Sequence, residues 1–458
     1  MSRTGACVAV GLCLLLTGGA AGGVAAPHVG RRSAGRAGTA EQPRTAEGLV
    51  EAPPFTGGWL RPDGGLVHVG HDGVAPFLMD FASRRRWRLE PREDGAWALA
   101  GSQPAARITW NGSRPSLTGL GPAPLVLERL PARTEDVTVR NGGVTLAGTL
   151  WLPAGTPPRA GVVLLPDADM ETRRALEPYP SFLVHQGLAV LTYDRRGSGG
   201  STGNGRPWVS GMDVLAEDGL AAARLLRERA GLREGAVGLM GFGQGAWAAV
   251  HAASRAPELT GFLVLVSGGG GPLWKQEQHR LRNEARRKGL TGPELVELTE
   301  FLGVLHDARL YAPEREEKSL RTLDFHLKRA KRRRWYAVTP QSRHEELPLP
   351  GMLELQRLLW SNVLSYDPAE DLGRVRGPVL ALLGEKDEVT PARPTASALS
   401  AALSQADSDV RAGTVTVKVL AGADHRLVLP ADAKQPGVET MAEELFPSLE
   451  AWLRGLGR

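Results

Sequence analysis

GLMGFGQGAWAAV, residues 238–250, reads as a short apolar strand, a tight glycine turn and a small-residue helix. The strand half has no polar position to turn towards water, as expected of a strand buried on both faces. Gly241 and Gly245 flank the turn and let strand and helix pack closely. A strand running straight into a helix is half of a parallel-sheet crossover, so this stretch argues for an α/β fold.

The pattern repeats along the chain. AGVVLLPD, LAVLTYD, FLVLVSG, PVLALLG and TVTVKVL are further apolar runs alternating with helical stretches, which predicts a largely parallel sheet flanked by helices. Ahead of them, DVTVRNGGVTLAGTLWLP reads as two strands joined by Asn-Gly-Gly, an antiparallel hairpin. Residues 131–458 therefore form one α/β domain, interrupted at 272–366 by a highly charged, mostly helical insertion. An insertion at that place sits over the strands' carboxyl ends as a cap.

Upstream the texture changes. Residues 55–130 hold short apolar pieces (GLVHVG, APFLMDF, ARITW) separated by Gly, Pro and Asp-Gly turns, which predicts a small β-rich domain. Its tryptophans, Trp59, Trp87, Trp97 and Trp110, fit a small core better than a ligand cleft. Residues 27–54 read as a flexible linker and 1–26 as a signal peptide, with a basic start, an apolar run and a small-residue end. That predicts export to the periplasm or outside the cell, a retained membrane anchor being the lesser reading. Both cysteines, Cys7 and Cys13, fall in this segment, so the processed chain has no disulfide, thiol nucleophile or cysteine metal site. With 42% hydrophobic and 23% charged residues, the 458-residue chain is ordinary globular material, and a net charge of +5 names no partner.

Ligands of open α/β sheets bind at the strands' carboxyl ends. There the sequence places Pro166-Asp167-Ala168-Asp169, Asp194-Arg195-Arg196, the quoted turn, Asp387 and His425. From about residue 134 onward the chain resembles secreted bacterial α/β-hydrolases of the carboxylesterase type. VTLAGTLWLP, YDRRGSGGSTG, GLMGFGQGAWAA, YDPAEDLGRVRGPVLALLGEKDEVTP and GADH carry the resemblance, in the family's order. It implies the α/β-hydrolase fold and a site in which a serine attacks, a histidine takes its proton, an acid orients the histidine and backbone N–H groups hold the oxyanion. Matched residue by residue, Asp387 takes the acid role and His425 the base role, and the N–H of Gln244 is one oxyanion donor.

Two departures follow. The nucleophile's seat is Gly243, which has no side chain. Where relatives carry His-Gly and a further glycine for the second oxyanion donor, this chain has Pro166 and Asp167. Proline has no N–H, and a carboxylate enters a region meant to receive negative charge. The expected reading is a hydrolase-fold protein whose serine mechanism is lost or strongly reduced and whose pocket still binds an ester-like or acyl small molecule or an envelope component. The alternative is a working carboxylesterase with a bypassed or substituted nucleophile. Ser201 and Ser267 are the nearest serines, and neither occupies a turn aimed at His425. A third reading is an interaction protein using the basic run LKRAKRRRWY, where Arg332, Arg333 and Arg334 would touch anionic surfaces weakly. A solvated cap helix paired with the upstream PEREEKSL is the plainer account of that run. No nucleic acid partner and no cofactor are expected. Asp167, Asp169, Glu171 and His425 lack a compact ligand motif, so no metal is expected either.

Overall fold

Close, regular turns in the N-terminal region produce a meander. The computed structural model describes residues 52–168, 172–204, 207–309, 316–359, 363–404 and 414–456; the segment read as a signal peptide, most of that read as a linker, Asp169 and Glu171 lie outside them. Strands β1 (Gly57–Leu60), β2 (Leu66–His71), β3 (Pro76–Asp80), β4 (Arg85–Pro91), β5 (Trp97–Leu99), β6 (Ala106–Trp110) and β7 (Pro115–Thr118) pair antiparallel in chain order. The short strands β8 (Leu125–Val126) and β9 (Glu128–Arg129) pair with β7 and β1 respectively. Only Leu127 separates them, so the meander closes on itself and leaves few open edges. Trp59 and Trp87 are buried in its core with Val67, Leu78 and Ile108, and Trp97 and Trp110 pack against that core.

The hairpin of β10 (Ala132–Asn141) and β11 (Val144–Pro153) opens the second sheet. There follow β12 (Ala160–Leu165), α1 (Tyr179–His185), β13 (Leu188–Tyr193), α2 (Pro207–Arg229), β14 (Val237–Phe242), α3 (Gln244–Arg255) and β15 (Thr260–Val266). Four helices then form the cap: α4 (Leu273–Arg287), α5 (Gly292–Arg309), α6 (Glu316–Ala330) and α7 (Leu349–Leu359). Their core is their own, built on Leu298, Phe301, Leu305, Leu323 and Trp335. The chain returns through α8 (Ala369–Arg374), β16 (Val379–Gly384), α9 (Ala392–Ser404), β17 (Val415–Leu420), β18 (Val438–Thr440) and α10 (Leu445–Gly455).

The sheet runs β10-β11-β13-β12-β14-β15-β16-β17, parallel from β13 onward. Every residue of β12, β13, β14 and β16 is buried, which is what their unbroken apolar sequence requires. One face packs on α2, α3, α8 and α9, the other on α1 and α10. That second face also receives Leu66, Phe77 and Met79 from the β-rich region. In addition, β18 pairs with β4, so the segment after the last parallel strand joins the N-terminal sheet. The two sheets are thereby held against each other beside the strands' carboxyl ends. Among the described residues no helix is long and apolar enough to cross a membrane.

Candidate active site

The parallel register of β12 and β14 sets Leu165 beside Gly241. Two residues further along each chain, Asp167 comes to lie beside Gly243. Gly243 has φ +45° and ψ −116°, a conformation that strains residues with a side chain, and its N–H donates to the Val266 carbonyl at 2.9 Å. A Cβ added to Gly243 would overlap the Asp167 carboxylate, closer than real Cβ atoms come to any neighbour. The two positions therefore share one space: the place a residue-243 side chain would fill holds the carboxylate of Asp167.

Three donors engage that carboxylate. Its Oδ1 accepts the N–H of Gln244 and the N–H of Ala168, each at 2.6 Å. Its Oδ2 lies 2.9 Å from Nε2 of His425. On the far side of the ring, Nδ1 of His425 meets Oδ2 of Asp387 at 2.8 Å. Asp387 is itself fixed, its Oδ1 accepting from the backbone of Val389 and Thr390 at 2.7 Å each. An imidazole with a carboxylate on each nitrogen donates at both, which makes it an imidazolium. Burial alone would lower the pKa of His425. The hydrogen bonds and charges of Asp167 and Asp387 outweigh burial and raise it well above its ordinary value. Burial likewise pushes Asp167 up, but His425 and the two N–H donors hold it below the usual carboxylate range.

The family model described as serine aminopeptidase, S33, matches residues 156–430, which include this whole arrangement. The chain belongs to this S33 family. The matched span contains Asp167, Gly243, Gln244, Asp387 and His425. No curated protein matches the chain in sequence. Similar solved structures include an esterase of Pyrococcus furiosus (15% identity, TM-score 0.42, covering 71% of this chain and 94% of that one). A proline iminopeptidase of Mycobacterium smegmatis is similar at 17% identity and TM-score 0.41, covering 70% of this chain and 98% of the other. A thioesterase domain from the curacin biosynthetic pathway is similar at 15% and 0.37, covering 70% and 99%.

In this S33 chain the two serines nearest by topology do not reach the histidine. Ser201 donates to the Asp194 carbonyl at 2.7 Å and accepts from Ala147 at 3.0 Å, bracing its own loop. Ser267 (φ +53°) has a buried hydroxyl without a hydrogen-bond partner, and both nitrogens of His425 are occupied by carboxylates.

Arg195 lies at a strand's carboxyl end as the sequence places it, but its partners in the site were not legible there. It is buried, and its guanidinium donates to the Asp167 carbonyl at 2.6 Å and to Oε1 of Gln244 at 3.0 Å. It thus ties the loop after β12 to the first turn of α3, fixing the carboxylate against its N–H donor. The adjacent Arg196 turns away and pairs with both carboxylate oxygens of Asp218 at 2.6 and 2.7 Å. Replacing Arg195 by Met keeps an unbranched stem but removes the donors to both acceptors. We expect a stability loss of roughly 2–4 kcal/mol in urea denaturation. A loss below about 0.5 kcal/mol, the level of an ordinary surface substitution, would show that the clamp is idle.

A cleft of about 330 Å³ opens above the carboxylate. Gly243, Asp167 and His425 form its floor, and Tyr179, Phe242, Val266 and Val428 its walls. Asp72, Val74 and Arg86 of the β-rich region form one rim, facing Arg426. Arg86 pairs with Asp72 and with Glu439, and Arg426 with Glu439, so the rim is an ion-pair chain joining the two sheets. Sequence spacing gave no sign that the N-terminal region would line the site. Among the described residues no group of three His, Cys, Asp or Glu side chains is arranged to hold a metal ion. The basic run is also partly neutralised: Arg333 and Arg334 pair with Glu297 and Glu294. Both partners lie on α5, while residues 313–315 of the upstream PEREEKSL stretch lie outside the described residues.

Proposed function

We propose that this S33-family chain has lost serine-based acyl transfer and uses the inherited cleft to bind an ester-like or acyl small molecule. One observation carries the reading: the Asp167 carboxylate engages His425 and the Gln244 N–H at once. Acyl transfer by serine needs a hydroxyl, a histidine nitrogen free to take its proton and an empty oxyanion hole. Gly243 supplies no hydroxyl, and Asp167 occupies the other two. Loss of the nucleophile alone costs about a millionfold in turnover. A carboxylate about 4 Å from a developing oxyanion adds on the order of 4 kcal/mol of repulsion at intermediate polarity. Binding survives these losses because the apolar walls and the few polar groups of the floor remain. Export through residues 1–26 belongs to the same reading and is checked by N-terminal sequencing of protein recovered outside the cytoplasm.

The test is a serine-directed fluorophosphonate probe together with p-nitrophenyl butyrate. The purified chain takes up no probe and turns over no ester above buffer, while fatty acids or their amides raise its melting temperature. Stoichiometric label on any serine, with ester turnover, contradicts the reading.

A further inference from the structure

The two oxygens of Asp167 stand in different settings. Oδ1 sits on two backbone N–H donors, while Oδ2 faces His425 at the cleft floor. The side chain is only 12% exposed and lines the cleft, and a carboxylate has about four lone-pair sites of which these donors use three, so it stays competent as a covalent nucleophile. We propose that Asp167 is a nucleophile towards alkyl electrophiles: its Oδ2 displaces an anionic leaving group from a saturated carbon, and water then cleaves the ester formed. This rests on the reading that Gly243 has vacated the serine's seat, and it adds a reaction that serine chemistry does not cover.

The placement of the donors selects alkyl over acyl substrates. Attack on an acyl carbonyl would create an oxyanion on the substrate, yet the two N–H groups are already spent on Oδ1. Displacement at a saturated carbon creates no oxyanion in its first step. In the second step water attacks the carboxyl carbon of Asp167 itself, and the negative charge develops on Oδ1, where both donors already point.

The steps balance. Oδ2 forms a bond to carbon as the carbon–leaving group bond breaks, and the leaving group departs with the electron pair. Esterified Asp167 no longer carries the charge that helps keep His425 protonated, so the imidazolium gives its Nε2 proton to solvent water while the anion departs. His425, still oriented by Asp387, is then a base beside the new ester. It takes a proton from water, the hydroxide adds to the carboxyl carbon, and collapse expels the alkoxide, which takes that proton back from His425 and leaves as the alcohol. The alcohol carries the original Oδ2. The free acid regenerated on Asp167 ionises, and His425 is again an imidazolium between two carboxylates.

The test uses n-butyl bromide as the probe, in water enriched in the heavy oxygen isotope. We expect butanol and bromide to be released, the first turnover to give butanol with ordinary oxygen, and the heavy isotope to appear in the peptide containing Asp167. His425→Gln, which keeps a polar side chain, accumulates one butyl group on Asp167 and releases butanol at least about a hundredfold more slowly, as removal of a general base requires. Asp167→Asn takes up neither butyl nor heavy oxygen. Heavy oxygen in the first-turnover butanol, or no butyl adduct on Asp167 in either the parent or His425→Gln, overturns the proposal. Fluorophosphonate labelling reports on serine independently, so the two readings fail separately.

Discussion

Gly243→Ser by itself stays as inert towards p-nitrophenyl esters as the parent, whereas Gly243→Ser combined with Asp167→Gly gains activity at least about a thousandfold over either single change. The magnitude is a conservative share of the roughly millionfold that a triad nucleophile is worth. The single variant fails for a geometric reason. Its new Cβ would overlap the Asp167 carboxylate. The serine is therefore misplaced, and His425 keeps its proton between two acids. Removing the Asp167 side chain clears the space, frees the Gln244 N–H and leaves His425 oriented by Asp387 alone. Esterase assays with fluorophosphonate labelling read the outcome. Full activity in Gly243→Ser without the second change would mean that Asp167 does not hold the seat.

The second large effect is on stability against pH. His425 has its pKa raised on folding, so its ion pairing stabilises fully below about pH 6.5, the unfolded value, and fades as pH rises through the elevated folded value. Asp167 has its pKa lowered, so its contribution is present above about pH 3.9 and fades as pH falls through the depressed folded value. Both contributions are complete only in the window between. Within it, Asp167→Asn should cost about 2–3 kcal/mol, less than the 3–5 kcal/mol of a fully broken buried pair because the amide still accepts hydrogen bonds. The cost should shrink at more alkaline and at strongly acidic pH. Urea denaturation of both chains across that range measures the difference, and a difference independent of pH contradicts the pair.

Most of the fold was legible because burial on both faces leaves a plain trace. The runs VGLMGF, LAVLTY and VLALLG have no polar alternation, and each is a strand buried throughout. Asn-Gly-Gly marked the hairpin, and the register of β10 on β11 has Asn141 opposite Val144. What the sequence could not show was geometry between distant segments. Asp167 read as an unwelcome charge near the oxyanion hole. That it reaches across 76 positions to share space with Gly243 follows from the β12–β14 register, which no local pattern encodes. Arg195 stood among the strand-end residues, but its two acceptors, Asp167 and Gln244, lie on other elements and no local pattern pairs them with it. The cleft rim from the β-rich region and the closure of its meander through Leu127 depend on long-range pairing for the same reason.

The pairing of His425 with Asp167 is tested most directly by nuclear magnetic resonance titration of the His425 imidazole in the parent and in Asp167→Asn. We predict a ring protonated on both nitrogens through neutral pH, titrating well above the ordinary histidine value in the parent and at a lower pH in the variant. A ring that titrates at the ordinary value in both chains would show that the Asp167 carboxylate does not hold the histidine.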